Sequence, residues 1–266
     1  MLEKNTQKRQ ASVESALNGD YEFDLKAVFD EGWKLTQADK SSIVQGMLVV
    51  IVIAMSIMLM AAYVSEAKGI SWEEPGFRFG LDIIMAVLIA PLTAALMMMG
   101  IKSSVGRKNY LADLFGFINR TLVITVTVVM TTAIVQIGLL FLVLPGLYLM
   151  IATGFAIPLV LEKNMLPAKA IFTSIKVVNH QWLNFVKLYA VFFALLLLVA
   201  LTFGIAMIWV APFYYNVKGI LYRDIFGVQN AETISQSEGE VMTSADTQSS
   251  ELKTPDQSGK DDHFNA

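Results

Sequence analysis

The stretch LLFLVLPGLYLMI, residues 139–151, decides the fold because it lies at the centre of a long uncharged segment. Residues 121–161 contain no Asp, Glu, Lys, Arg or His. A single helix of that length would rise about 60 Å, roughly twice the thickness of the hydrocarbon core of a bilayer. The segment is therefore predicted to form two membrane spans, with a tight turn between them at Pro145-Gly146.

Composition indicates that the whole chain is an all-α membrane protein. The 266 residues are 55% hydrophobic and 16% charged, whereas a soluble domain carries about 25% charged residues. The chain has no cysteine, and His180 and His263 are its only histidines. Thiol chemistry, disulfides and Cys-ligated metal sites are therefore excluded, and a histidine metal site is disfavoured. No cofactor is expected.

Six membrane spans are predicted within residues 42–225, since each apolar block is about as long as one or two bilayer crossings. The predicted spans are 43–65, 81–101, 121–143, 146–162, 186–204 and 206–222. The last two come from one apolar block that is divided at Gly204, and the alternative is one tilted span followed by a surface helix. Before the spans lies a cytoplasmic segment, 1–41, with an amphipathic helix at 22–36. After them, residues 226–266 are polar and acidic, which predicts a disordered cytoplasmic tail.

The positions of the basic residues give the orientation of the six spans. Of the 20 Lys and Arg residues, all except Lys68 and Arg78 fall on one side of the predicted topology. Cytoplasmic loops carry the excess of Lys and Arg. Both termini are therefore predicted to be cytoplasmic. Removing either tight turn from the topology would place a basic loop outside.

A weak internal repeat accompanies this pattern. The similar segments KAVF (26–29), ADLF (112–115) and KAIF (169–172) each precede a pair of spans, and each pair ends in a span with a proline: Pro91, Pro158 or Pro212. This pattern favours three repeats of an amphipathic surface helix plus a helical hairpin, with chance similarity as the alternative. The basic surface helices would be able to contact anionic lipid headgroups.

Residues that could carry chemistry inside the membrane are scarce. Lys218 lies toward the inner end of the last predicted span and is interpreted as an interfacial charge. Gln136 is the most costly polar residue at depth and is expected to be buried against a neighbouring helix. The prolines at 91, 158 and 212 are interpreted as kinks, or alternatively as breaks that line a transport path. No catalytic motif is present, so the sequence predicts neither an enzyme nor a nucleic-acid partner.

The central block resembles a known family. The segments VQIGLLFLVLPGLYLMIATGFAIPLVLEKNM (135–165) and AIFTSIKVVNHQW (170–182) resemble the YciC-like family of bacterial multi-pass inner-membrane proteins. They are also similar to the membrane region of some glycerophosphodiester phosphodiesterases. The resemblance implies a six-span protein of the bacterial inner membrane, without an assigned activity and without catalytic residues. The acidic C-terminal tail departs from the plan of that family.

Three hypotheses for function follow from these observations. The leading one is a non-enzymatic, accessory role in the cell envelope, with the bilayer and either another membrane protein or a second copy of the chain as partner. The main rival is a transporter or channel for a small solute or lipid, lined by the span prolines. The third, a lipid-modifying enzyme, would require at least two acidic or histidine side chains that face one cavity.

Overall fold

The computed structural model describes residues 11–38 and 40–228, and every regular element in those ranges is helical. Residues 229–266, most of the predicted tail, and residues 1–10 lie outside the described ranges. The helices are α1 (Val13–Leu17), α2 (Leu25–Ala38), α3 (Ser41–Lys68), α4 (Pro75–Ser104), α5 (Thr121–Phe141), α6 (Val143–Ala152), α7 (Ala156–Glu162), α8 (Pro167–His180), α9 (Trp182–Leu201) and α10 (Met207–Phe226). Two 3-10 turns, Leu111–Phe115 and Ile118–Arg120, connect α4 to α5.

Within the described residues, five helical segments are long and apolar enough to cross a membrane, which confirms the prediction of an all-α membrane protein. They are Ser41–Lys68, Pro75–Ser104, Leu111–Phe141, Val143–Glu162 and Trp182–Leu201. The sixth predicted span corresponds to α10, which has 20 residues. Its last two and a half turns contain Lys218, Arg223 and Asp224. Length and apolarity alone therefore identify five spans, and the sixth is not confirmed.

The turn in the stretch 139–151 lies at Leu142, so the predicted position at Pro145-Gly146 was wrong. Leu142 is extended, with φ −165° and ψ 153°, and separates α5 from α6. Pro145 is the third residue of α6, where its missing N–H removes no helical hydrogen bond. Gly146 is helical and buried. A Cβ atom there would stand 2.8 Å from the backbone nitrogen of Leu139, so this glycine allows α6 to approach α5 closely.

The second tight turn lies at Gly204, between α9 and α10. Gly204 has φ +89°, a conformation that glycine adopts without steric cost. Its neighbour Phe203 also has a positive φ, +50°, and its side chain is 97% exposed. Both residues together reverse the chain over residues 202–206, which are free of charged side chains.

The amphipathic helices α2 and α8 each pack one face against other helices of the bundle. In α2 the buried residues are Val28, Gly32 and Thr36, whereas Trp33 remains 45% exposed. The amphipathic helix predicted at 22–36 is therefore present, and α10 covers its buried face. A Cβ atom on Gly32 would stand 3.4 Å from the ring of Phe213 in α10. Helix α8 likewise buries Ala170, Ile171, Thr173, Ser174, Val177 and Val178.

Of the predicted threefold repeat, the structure preserves only the order of the elements along the chain. The first and third units begin with a regular amphipathic helix, α2 or α8, but the second begins with the two 3-10 turns. The prolines also occupy different positions, since Pro91 is in the middle of α4 and Pro158 is the third residue of α7. These differences leave the repeat unconfirmed.

The core of the bundle lies at the end where the basic loops are found. Every buried residue of α4 falls between Ala90 and Ser104, and every buried residue of α10 falls between Ala211 and Phe226. The two helices cross at Gly100 and Gly219 with almost no space between their backbones. Helix α10 is therefore the central element of the core, and its buried polar side chains Asn216 and Lys218 are enclosed by other helices.

Candidate functional site: a buried lysine at a broken helix

The fourth predicted span is interrupted near its centre. Helix α6 ends at Ala152, residues 153–155 form turns, and α7 begins at Ala156. In a continuous helix the N–H of residue 158 would donate to the carbonyl of Gly154, but Pro158 has no N–H. The carbonyl oxygen of Gly154 is consequently left without a helical partner, inside an otherwise apolar span.

Lys218 of α10 supplies the missing hydrogen-bond donor. Its ammonium nitrogen, Nζ, donates to the carbonyl oxygen of Gly154 at 2.9 Å and to the phenol oxygen of Tyr189 at 3.0 Å. Only 1% of the Lys218 side chain is exposed. The sequence-based interpretation of Lys218 as an interfacial charge is therefore corrected, because the broken helix draws it into the core.

Aromatic rings complete the surroundings of the ammonium group. Nζ lies 4.2 Å from the centre of the Phe155 ring and 5.5 Å from that of Tyr189. Such positions over a ring face are favourable for a desolvated cation. A carbonyl, a phenol and a ring face thus receive the three N–H groups of the lysine.

No carboxylate compensates the charge of Lys218 within the described residues, where the ion pairs involve other side chains. A buried cation without a counter-ion is costly unless hydrogen bonds and ring faces replace its hydration shell. The arrangement has two chemical capacities. It holds α9 and α10 against the break in the fourth span, and it would attract an anionic group that reached it.

Glycine at the break leaves free the space that the ammonium group occupies. A Cβ atom on Gly154 would stand 2.6 Å from Nζ of Lys218 and 2.8 Å from the phenol oxygen of Tyr189. Both distances are shorter than real Cβ contacts. The glycine, the proline four residues later and the lysine therefore form one structural unit.

Three further polar side chains of α10 are also bonded to other helices. Asn216 donates to Thr36 of α2 at 3.1 Å, and Tyr222 donates to Glu162 of α7 at 2.7 Å. Arg223 forms two hydrogen bonds to the carboxylate of Glu31 and donates to the carbonyl of Ser104. The bonds to Glu31 raise the pKa of the guanidinium group, since they favour its charged form.

The prolines inside the second, fourth and sixth predicted spans are all buried, whereas Pro145 is exposed. Pro91 lies in α4, Pro158 in α7 and Pro212 in α10. A cavity of about 560 Å³ opens between the exposed halves of α3 and α4. It is lined by Ile53, Ser56, Ile57, Met60, Ala61, Val64, Gly76, Phe77, Gly80, Leu81 and Ile84, with none of the prolines among them.

Gln136 differs from its expected position. The sequence predicted a buried amide, but the side chain lies on the exposed face of α5. The core on the inner side of α5 is instead made by apolar or small residues such as Ile124 and Thr127. The amide therefore has no partner from its own helix bundle within the ranges 11–38 and 40–228.

The described residues contain no group of three or more His, Cys, Asp or Glu side chains that could hold a metal ion. Comparison of the chain with protein-family models, with curated proteins and with solved structures finds no match in any of the three. Interpretation of the site consequently depends on its own geometry.

Proposed function

We propose that this chain is a six-span protein of the bacterial inner membrane, similar to the YciC-like family, with a non-enzymatic, accessory role in the envelope. The observation that carries the proposal is that polar side chains of α10 are bonded to other helices. Lys218, Tyr222 and Arg223 are each bonded to carbonyls or side chains of other helices. Groups that hold helices together in this way are not free to act on a substrate.

The burial of Lys218 also supports α10 as the sixth membrane-inserted helix. Lys218 is one of three charged residues in α10, with Arg223 and Asp224, and its charge is enclosed by protein and does not face lipid. Ionisable residues in membrane helices are tolerated when they face the interior of the bundle. With α10 inserted, both termini lie on the cytoplasmic side, where the basic loops are.

This topology predicts a simple labelling pattern, because the natural chain contains no cysteine. Single cysteines at Glu66, Arg107, Lys176 and Ser249 would be treated with a membrane-impermeant maleimide on intact spheroplasts. We expect labelling of Glu66→Cys alone, and labelling of all four after permeabilisation. Labelling of Arg107→Cys or Lys176→Cys in intact spheroplasts would overturn the proposed orientation.

Contacts of α8 with anionic lipids belong to the same proposal. Lys169, Phe172 and Lys176 lie on the exposed face of this helix, and the Phe172 side chain is 70% exposed. Leu166, just before the helix, is 74% exposed. An apolar ring flanked by two lysines suits the boundary between acyl chains and phosphate headgroups.

One observation favours a transporter or channel as second candidate, namely the break in the fourth span with a buried cation beside it. Discontinuous helices near the centre of a membrane form the binding sites of many transporters.

Purified protein in phosphatidylcholine liposomes would be tested for glycerol flux by light scattering and for movement of a fluorescent phosphatidylethanolamine by dithionite quenching. The accessory role predicts no flux above that of protein-free liposomes. Flux supported by the natural chain and lost after Pro91→Ala, Pro158→Ala and Pro212→Ala are combined would establish the second candidate instead.

A further inference from the structure

The exposed amide of Gln136 lies beside a strongly apolar part of the protein surface. One turn beyond it, residues 139–144 (LLFLVL) form the tip of the hairpin of α5 and α6, and their side chains are 45% to 86% exposed and entirely apolar. Lipid tails offer no hydrogen bond to the amide, and the nearest polar side chain on the same side of α5 is the hydroxyl of Thr132, one turn earlier. A single hydroxyl satisfies only part of the hydrogen-bonding capacity of a primary amide, so in a membrane a partner outside the chain would lower the free energy of Gln136.

The residues around Gln136 form a continuous strip along α5. Leu122, Val126, Val129, Ala133, Gln136 and Leu140 follow one another at alternating intervals of four and three residues, and all are exposed. This spacing is typical of the contact line between two helices that pack along their length. Ala133 is small enough to permit close approach near the amide. We name these six residues the α5 strip.

We propose that the α5 strip is the interface between two copies of this chain, with the Gln136 amides hydrogen-bonded to each other across a twofold axis. A primary amide carries both a donor and an acceptor, so a second Gln136 satisfies both. A lipid tail satisfies neither. In a symmetric pair of helices the same residue meets itself, which places the two amides opposite one another. The inference rests on insertion of α5 in the membrane and is independent of the accessory role.

Disulfide crosslinking tests the geometry of this interface in the full-length protein. Single cysteines at Val129, Ala133 and Leu140 would be oxidised with copper phenanthroline in native membranes. We expect covalent dimers for all three. Val123 is the matched control, because it is 40% exposed on the same helix but lies about 100° away from the centre of the strip. Dimers of Val123→Cys at equal yield, or no dimers at the strip positions, would overturn the proposal.

The role of the amide is tested by Gln136→Leu, which keeps the helix apolar and well formed. Loss of the interhelical hydrogen bonds should weaken self-association about five- to thirty-fold, measured by energy transfer between labelled copies diluted in liposomes. Ile137→Leu on the neighbouring face serves as control and should leave the association unchanged. Unchanged association of Gln136→Leu would exclude the amide pair. Strip cysteines that crosslink only to a different membrane protein would exclude the second copy as occupant.

Discussion

Gly100→Ala and Gly219→Ala are each expected to cost at least about 3 kcal/mol in the free energy of unfolding, at the upper end of the range for overpacked cores. A Cβ atom on Gly100 would stand 2.6 Å from the carbonyl carbon of Tyr215 in α10. A Cβ atom on Gly219 would stand 2.6 Å from the backbone nitrogen of Ile101 in α4. Backbone atoms cannot move aside as a side chain can, so α4 and α10 must separate. Denaturation in detergent micelles and gel filtration after heating would measure the loss.

The same helix supplies the controls for this prediction. Gly76 and Gly80 lie in the exposed half of α4, and a Cβ atom on either would meet no atom within 4 Å. Alanine at these two positions should be neutral or stabilise by up to about 1 kcal/mol, because alanine is the better helix former. If Gly100→Ala were no less stable than Gly80→Ala, the close crossing of α4 and α10 would be contradicted.

The helical membrane fold was predictable from the sequence because it depends on quantities that the sequence contains directly. The length of an uncharged segment and the thickness of a bilayer are sufficient to require a reversal within residues 121–161. The exact place of the reversal was not predictable in this way. Gly146 was interpreted as a turn residue, but its backbone is helical and its lack of a side chain serves contact with Leu139. A sequence does not distinguish a glycine that bends the chain from one that lets another helix approach.

The candidate site was less accessible to prediction, because its two halves are far apart in the chain. Lys218 and Gly154 are separated by 64 residues, and charge counting placed the lysine at the membrane boundary. One signal was present nevertheless. Pro158 removes the hydrogen-bond donor for Gly154, so an apolar span with an internal proline leaves a free carbonyl four residues earlier. Which side chain donates to that carbonyl depends on the packing of α10, and no local sequence pattern predicts the donor.

The unit formed by Gly154 and Lys218 should show strong coupling in a double-mutant cycle. Gly154→Ala is expected to cost about 1–3 kcal/mol, because the new methyl group displaces the ammonium group from the carbonyl and from Tyr189. Lys218→Ala should cost about 2–5 kcal/mol, since it leaves a cavity and an unbonded carbonyl in the core. Lys218→Met should cost less than Lys218→Ala, because methionine fills most of the volume and carries no charge to desolvate.

In the Lys218→Met background the added methyl of Gly154→Ala no longer meets an ammonium group, so its cost should fall by at least about 1 kcal/mol. Denaturation of the four proteins under identical detergent conditions gives this coupling free energy directly. Ala156→Gly, which changes the first residue of α7 without contact to Nζ, is the reference for changes in helix propensity at the break. Strict additivity of the two substitutions would mean that Lys218 does not occupy the position beside Gly154. Strong coupling, together with no flux for the natural chain, would show that the hydrogen bonds of the buried lysine stabilise the span that is broken at Pro158.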